Sequence, residues 1–150
     1  MKIKILLSLS LFILISHSFP EKDSSSREVL TAEESFKISI KKNKSSFVIS
    51  ININERSYIY SEYLSLKGDK KNIKYNIIGR KELISDDFFG ESIIYKNNIE
   101  LIIPDYDKYI GKILYLSYQG CLENVLCYPK ITKKIKATKD KNSLISFDFL

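Results

Sequence analysis

Cys121 and Cys127 are the only thiols in this 150-residue sequence, six positions apart in Gly120-Cys121-Leu122-Glu123-Asn124-Val125-Leu126-Cys127. Two cysteines at that spacing can face each other across a tight bend between antiparallel strands and form one disulfide. Such a bridge either staples the fold or exchanges with another thiol–disulfide pair, a thiolate attacking a sulfur in line. A bridge closing so short a loop stabilises by roughly 2–2.5 kcal/mol, against nearly 5 for a loop of about 100 residues. A staple would therefore gain more by joining distant strands. On spacing alone, staple and redox couple both stand.

The rest of the inventory narrows the chemistry by elimination. The single histidine, His17, lies in an N-terminal segment that reads as a secretory signal: basic Met1-Lys2-Ile3-Lys4, an apolar run from Ile5 to Ile15, then small residues around His17, with cleavage expected after Ser18. The apolar run falls short of the about 20 residues that a spanning helix needs. A chain cut there keeps no histidine, so it has neither a Ser–His nor a Cys–His nucleophile pair and lacks the commonest zinc and copper ligand. No metal and no cofactor is expected. Export also places the cysteines in an oxidising compartment, where an even number suggests a disulfide. Of the 24 Lys+Arg and 18 Asp+Glu, Lys2 and Lys4 leave with the signal, so the mature charge is 22 − 18 = +4. The excess lysines are scattered, as Lys41-Lys42, Lys70-Lys71 and Lys133-Lys134, and read as solvated surface. No nucleic-acid partner is expected.

The elements that must position the cysteines read as short strands. Residues 19–34 are polar and form an expected flexible lead-in, with at most a short helix within residues 27–37. Phe36, Ile38 and Ile40 alternate with polar residues, as do Phe47, Ile49, Ile51 and Ile53. Glu55-Arg56-Ser57 reads as a turn, Tyr58 to Leu66 as one β-rich run, and Ile73 to Ile78 as a strand ending at Gly79. Ile93–Tyr95 and Ile99–Ile103 read as two strands around Lys96-Asn97-Asn98. Ile113–Gln119 follows, and Ile131–Ala137 reads as the last regular strand. Many short strands with frequent turn signals predict an all-β sandwich, one domain over residues 35–138 with a tail over 139–150, in a mature chain of about 130 residues.

The segment YQGCLENVLCYPK, residues 118–130, resembles the active-site segment of the N-terminal periplasmic domain of the thiol:disulfide interchange protein DsbD family. Tyr118, Gln119, Gly120, Cys121, Cys127, Tyr128 and Pro129 all match its Tyr-Gln-Gly-Cys, five-residue spacer, Cys-Tyr-Pro string. Two further segments resemble the same family in the same order. DDFFGES, residues 86–92, is similar to its cap loop, and SYIYSEYLSL, residues 57–66, to the tyrosine-bearing strand lining the site.

The resemblance implies an immunoglobulin-like β-sandwich and a relay that passes two electrons to oxidised thioredoxin-like proteins in the periplasm, as a protein-disulfide reductase component. It implies that Cys127 forms the mixed disulfide and Cys121 resolves it. It makes Asp86, Asp87, Phe88, Phe89 and Gly90 the cap, with Phe88 covering the sulfurs, and Tyr58, Tyr60, Tyr118, Gln119 and Tyr128 the surround. Carboxylates near a thiolate would raise its pKa, so the thiol is expected to be sluggish alone and activated in a complex. The sequence departs from the family at Asp87, where Glu is expected, and at Phe89, where Tyr is usual. It contains no Cys-x-x-Cys, so the electron donor, a membrane or thioredoxin-like protein, is expected to be another chain. The alternative is an immunoglobulin-like adhesion or binding domain with a structural bridge.

Overall fold

Apolar residues at every second position give a strand one dry face, and this pattern builds the first hairpin of the computed structural model, which describes residues 29–86, 89–139 and 145–150. Strands β1 (Phe36–Lys42) and β2 (Ser46–Ile53) pair antiparallel from Phe36↔Ile53 to Lys42↔Phe47. Phe47, Ile49, Ile51 and Ile53 are all buried. Before β1, Ala32–Ser35 form one helical turn, α1, capped reciprocally by the Thr31 side chain and Glu34. The end of the expected lead-in is thus a capped turn rather than loose chain, and it falls within the window read as a possible short helix.

The Tyr58–Leu66 run is two strands, not one. β3 (Ser57–Tyr60) ends in a 3-10 turn, Ser61–Tyr63, and β4 (Ser65–Gly68) follows with the two-residue β5 (Lys71–Asn72). The turn is where the chain leaves one sheet for the other. β6 (Asn76–Asp86) and β7 (Gly90–Pro104) then form a long hairpin. The break expected at Gly79 and the loop expected at Lys96-Asn97-Asn98 are instead the two sides of one β-bulge, between Ile78↔Glu100 and Arg80↔Lys96. Asn97 adopts φ 67 there. A Cβ on Gly79 would lie 2.5 Å from Ile99 Cγ2, so only glycine lets the strands close. At this bulge β7 changes neighbour, from β2 (Asn52↔Asn98) to β3 (Ile59↔Tyr95).

A second 3-10 turn, Tyr106–Tyr109, leads to β8 (Ile113–Tyr118), β9 (Gly120–Leu122), β10 (Leu126–Cys127), β11 (Ile131–Lys139) and β12 (Ile145–Phe149). The first sheet runs β1-β2-β7-β3-β9-β10, with β6 along β7. The second runs β12-β11-β8-β4-β5. Leu101 pairs with both Ile49 and Ile77, so β6 lies on the β7 edge opposite β2 and is an outer strand. The two antiparallel sheets enclose one apolar core and make the immunoglobulin-like sandwich. β12 belongs to the stretch expected to be an unplaced tail. It pairs with β11, and its Phe147 stacks on Phe47 at 4.6 Å. Residues 1–28, with the expected signal and most of the lead-in, lie outside the described residues. Among the described residues no helix is long and apolar enough to cross a membrane.

Candidate functional site

Gln119 is the residue at which the chain crosses from one sheet to the other. Tyr118 ends β8 in the second sheet and Gly120 starts β9 in the first. The Gln119 carbonyl accepts the Tyr60 N–H at 3.0 Å, locking the crossing to β3. β9 then lies beside β3, with Tyr58↔Cys121 and Ile59↔Gly120 opposed. Gly120 admits no side chain: a Cβ would collide with the Tyr58 carbonyl oxygen and sit 2.7 Å from Phe36 Cζ. Glycine before Cys121 therefore allows the backbone approach that sets the cysteine's register.

β9 and β10 form a tight hairpin with Leu122↔Leu126 and Cys121↔Cys127 as its pairs. Asn124 takes the left-handed φ of 57 in the turn, a conformation asparagine tolerates better than most side chains. Val125 N–H donates to the Leu122 carbonyl at 3.0 Å, and Tyr128 N–H to the Gly120 carbonyl at 2.9 Å. The second bond flanks the cysteine pair and puts it at a non-hydrogen-bonded position, where opposed side chains are closest. The cysteines are joined there as a disulfide, with Cα atoms 4.0 Å apart. The hairpin tip is tied down by the Glu123 N–H to the Arg56 carbonyl (2.7 Å) and by the Lys96–Glu123 ion pair (3.4 Å).

Period two separates the two faces of this sheet. Ile59 and Leu122 point into the main core, while Tyr58, Tyr60 and Cys121 point outward and form a second buried cluster with Ile94. Tyr63, Ile84 and Cys127 are partly buried against it. Cys121 is 2% exposed, whereas Cys127 lies half-buried at its margin. The Tyr60 hydroxyl is 3.3 Å from Cys121 Sγ and 3.9 Å from Cys127 Sγ. Disulfide sulfurs carry no hydrogen, so the hydroxyl is the donor. The Tyr58 hydroxyl is 3.4 Å from that of Tyr60, so the two phenols form a short polar chain beside the sulfurs.

The β6–β7 hairpin closes over the cluster. Asp86 pairs with Gly90, which adopts φ 69, and Phe89 packs against Tyr60 (4.8 Å) and Tyr63 (5.5 Å). Asp87 and Phe88, the expected second acid and covering aromatic, lie outside the described residues. Of the expected surround, Tyr58 and Tyr60 stand at the sulfurs and Gln119 acts through its carbonyl. Tyr118 and Tyr128 instead point into the main core, edge-on to Phe36 at 5.5 Å each. They match the family string because they frame the hairpin, not because they touch sulfur. Burial pushes the Tyr118 phenol well above the ordinary tyrosine value. The Tyr128 hydroxyl donates to the Leu30 carbonyl at 2.7 Å and meets Ser35 Oγ at 2.8 Å, pinning α1 to the hairpin. Tyr63, Ile84 and Ile94 join the site without having been singled out. Ile94 comes beside Tyr60 through the non-local β3–β7 pairing, which no local pattern gives, and Tyr63 needs the 3-10 turn.

Residues 26–139 match the family described as the thiol:disulfide interchange protein DsbD, N-terminal. Among curated relatives, the DsbD of Tatumella citrea is 26% identical over 131 residues, covering 87% of this chain and 23% of that protein. The DsbD of Pasteurella multocida is 32% identical over 79 residues, 53% of this chain and 14% of that protein. The chain thus spans less than a quarter of the length of these relatives. Among solved structures, the reduced DsbD N-terminal domain of Neisseria meningitidis superposes with a TM-score of 0.63 at 22% identity, over 84% of this chain and 98% of that one. The DsbD N-terminal domain in complex with the PilB N-terminal domain, also from Neisseria meningitidis, gives 0.56 at 24% identity, over 71% and 85%. A sandwich whose sheet crossing, glycine and hairpin deliver two cysteines into a tyrosine-lined cluster, matched over residues 26–139, belongs to the DsbD N-terminal domain family.

Proposed function

We propose that this chain is an extracytoplasmic thiol–disulfide relay that passes electron pairs to oxidised thioredoxin-fold proteins. The observation that carries this reading is the asymmetry of the pair: Cys127 at the margin, Cys121 buried beneath it beside a tyrosine hydroxyl. In the reduced state the Cys127 thiolate attacks one sulfur of the partner's disulfide. That S–S bond breaks, the partner's other sulfur leaves and takes a proton, and a mixed disulfide forms. The Cys121 thiolate then attacks Cys127 Sγ, restoring the Cys121–Cys127 bond and releasing the partner as a dithiol. Two electrons have moved to the partner, and a donor dithiol resets the pair. Hydrogen bonds to a charged sulfur are stronger than those to a neutral one, so the Tyr60 hydroxyl favours each thiolate as it forms. The acidic residues at Asp86 and Asp87 and the covering aromatic at Phe88 keep the roles that the resemblance implies.

The N-terminal signal pattern and the family support an extracytoplasmic location. Support for a thioredoxin-fold partner comes from the family resemblance, and the Neisseria domain forms a complex with another protein's domain. The reading is tested by trapping. Reduced chain carrying Cys121→Ala, mixed with an oxidised thioredoxin-fold protein, is expected to accumulate a mixed disulfide through Cys127 that Cys127→Ala abolishes. Equal trapping by Cys121→Ala and Cys127→Ala would contradict the assignment of roles.

A further inference from the structure

We infer that Tyr63 is a positioning residue for the proposed exchange reaction: it holds Phe89 against Tyr60 and so sets how readily the sulfurs are reached. This rests on the relay reading above. Phe89 stands where the β6–β7 hairpin meets the site, and its ring is bracketed by two tyrosines. Tyr60, fully buried, lies 4.8 Å away at 67°, and Tyr63 5.5 Å away at 58°. The tyrosines are themselves edge-on, 5.9 Å apart at 86°. Three rings in mutual contact, one of them carrying the hydroxyl 3.3 Å from Cys121 Sγ, form one packing unit.

The third ring is placed by a backbone feature. Had β3 run on as a strand, residue 63 would have stayed in the ladder. The Ser61–Tyr63 3-10 turn, closed by the Leu64 N–H to the Ser61 carbonyl, instead swings residue 63 across the β7 side of the cluster. Phe89 is 39% exposed, so deep burial alone does not fix its seat, and the two tyrosine rings contribute to it. Nothing in this geometry needs the Tyr63 hydroxyl to touch a sulfur. Its part is carried by the ring.

The test uses the mature oxidised chain and dithiothreitol. One dithiothreitol thiolate attacks a sulfur of the pair, and the other cysteine leaves as a thiolate and is protonated. The second dithiothreitol thiol then closes its own ring, releasing the dithiol form of the protein. The rate is read by acid quench, alkylation and mass measurement. An aromatic contact of this kind shifts an open–closed balance by roughly two- to tenfold. Tyr63→Leu is expected to speed reduction by about that factor, Tyr63→Phe to leave it within about twofold of the parent, and Phe89→Ala to speed it at least as much. Because both rings act through one contact, Tyr63→Leu with Phe89→Ala is expected to be no faster than Phe89→Ala alone. The reduction potential is expected to stay unchanged in all four, since access alters rates in both directions.

A Tyr63→Leu rate equal to the parent's, or factors that multiply in the double variant, would overturn the inference while leaving the relay reading in place. A Tyr63→Phe rate as fast as Tyr63→Leu would also overturn it, by making the hydroxyl the active part. A bridge that dithiothreitol does not reduce in the folded chain would overturn both.

Discussion

Tyr60 has its hydroxyl closer to Cys121 Sγ than to Cys127 Sγ, 3.3 against 3.9 Å, and it is fully buried. A hydrogen bond to a charged group contributes about 1.5–3 kcal/mol, so its loss is felt when Cys121 becomes a leaving thiolate. Tyr60→Phe keeps the ring and its contacts with Tyr58, Tyr63 and Phe89. It is expected to slow reduction by dithiothreitol about tenfold with little change in thermal midpoint. Unchanged kinetics would mean that the hydroxyl only fills space. At this scale the sequence was informative where residue type and period carry the chemistry. Two cysteines and alternating Tyr58 and Tyr60 share one face because strand geometry forces them to. Tyr118 and Tyr128 sit in the same string yet serve the core, since each stands an odd number of residues from its nearer cysteine and alternation turns it to the opposite face.

The hairpin that presents the cysteines depends on its neighbour more than on its own turn. Gly120 lets β9 lie against the Tyr58 carbonyl and the Phe36 ring, and that contact sets Tyr58↔Cys121. Gly120→Ala forces a methyl group into backbone, where relaxation is limited. It is expected to cost about 2–3 kcal/mol in chemical denaturation and to make the bridge more reducible by loosening β9 from β3. A neutral substitution there would show that β9 is free to shift. The strands themselves were legible from alternation, because one face of each is dry. Three features were not. The Gly79–Asn97 bulge looks like two turns, since glycine and asparagine signal both. The 3-10 turn at Ser61–Tyr63 hides in a β-rich composition. β12 does alternate, Ile145, Phe147 and Phe149 against Ser146 and Asp148, but so short a run does not by itself separate a paired strand from a tail, and it gains its place by pairing with β11 and stacking Phe147 on Phe47.

In the whole molecule the main core and the sulfur cluster are separate. The core between the sheets runs from Phe36 and Phe47 to Ile135 and does not include the cysteines, which lie with Tyr58, Tyr60 and Ile94 on the outer side of the first sheet. The bridge closes a loop with a sequence separation of only 6, and its contribution to stability is small, about 2 kcal/mol. A fold held elsewhere can open and close this bond without unfolding, which a relay requires and a staple does not. The most direct measurement is therefore the reduction potential of the Cys121–Cys127 pair in the mature chain, equilibrated against glutathione or dithiothreitol, with β-sheet circular dichroism followed in the same samples. The expected result is a reversible couple above about −300 mV, with the sheet signal unchanged between the two states. A bridge that resists reduction below that potential, or a sheet signal that collapses as the bridge opens, would contradict the relay and make the disulfide a staple.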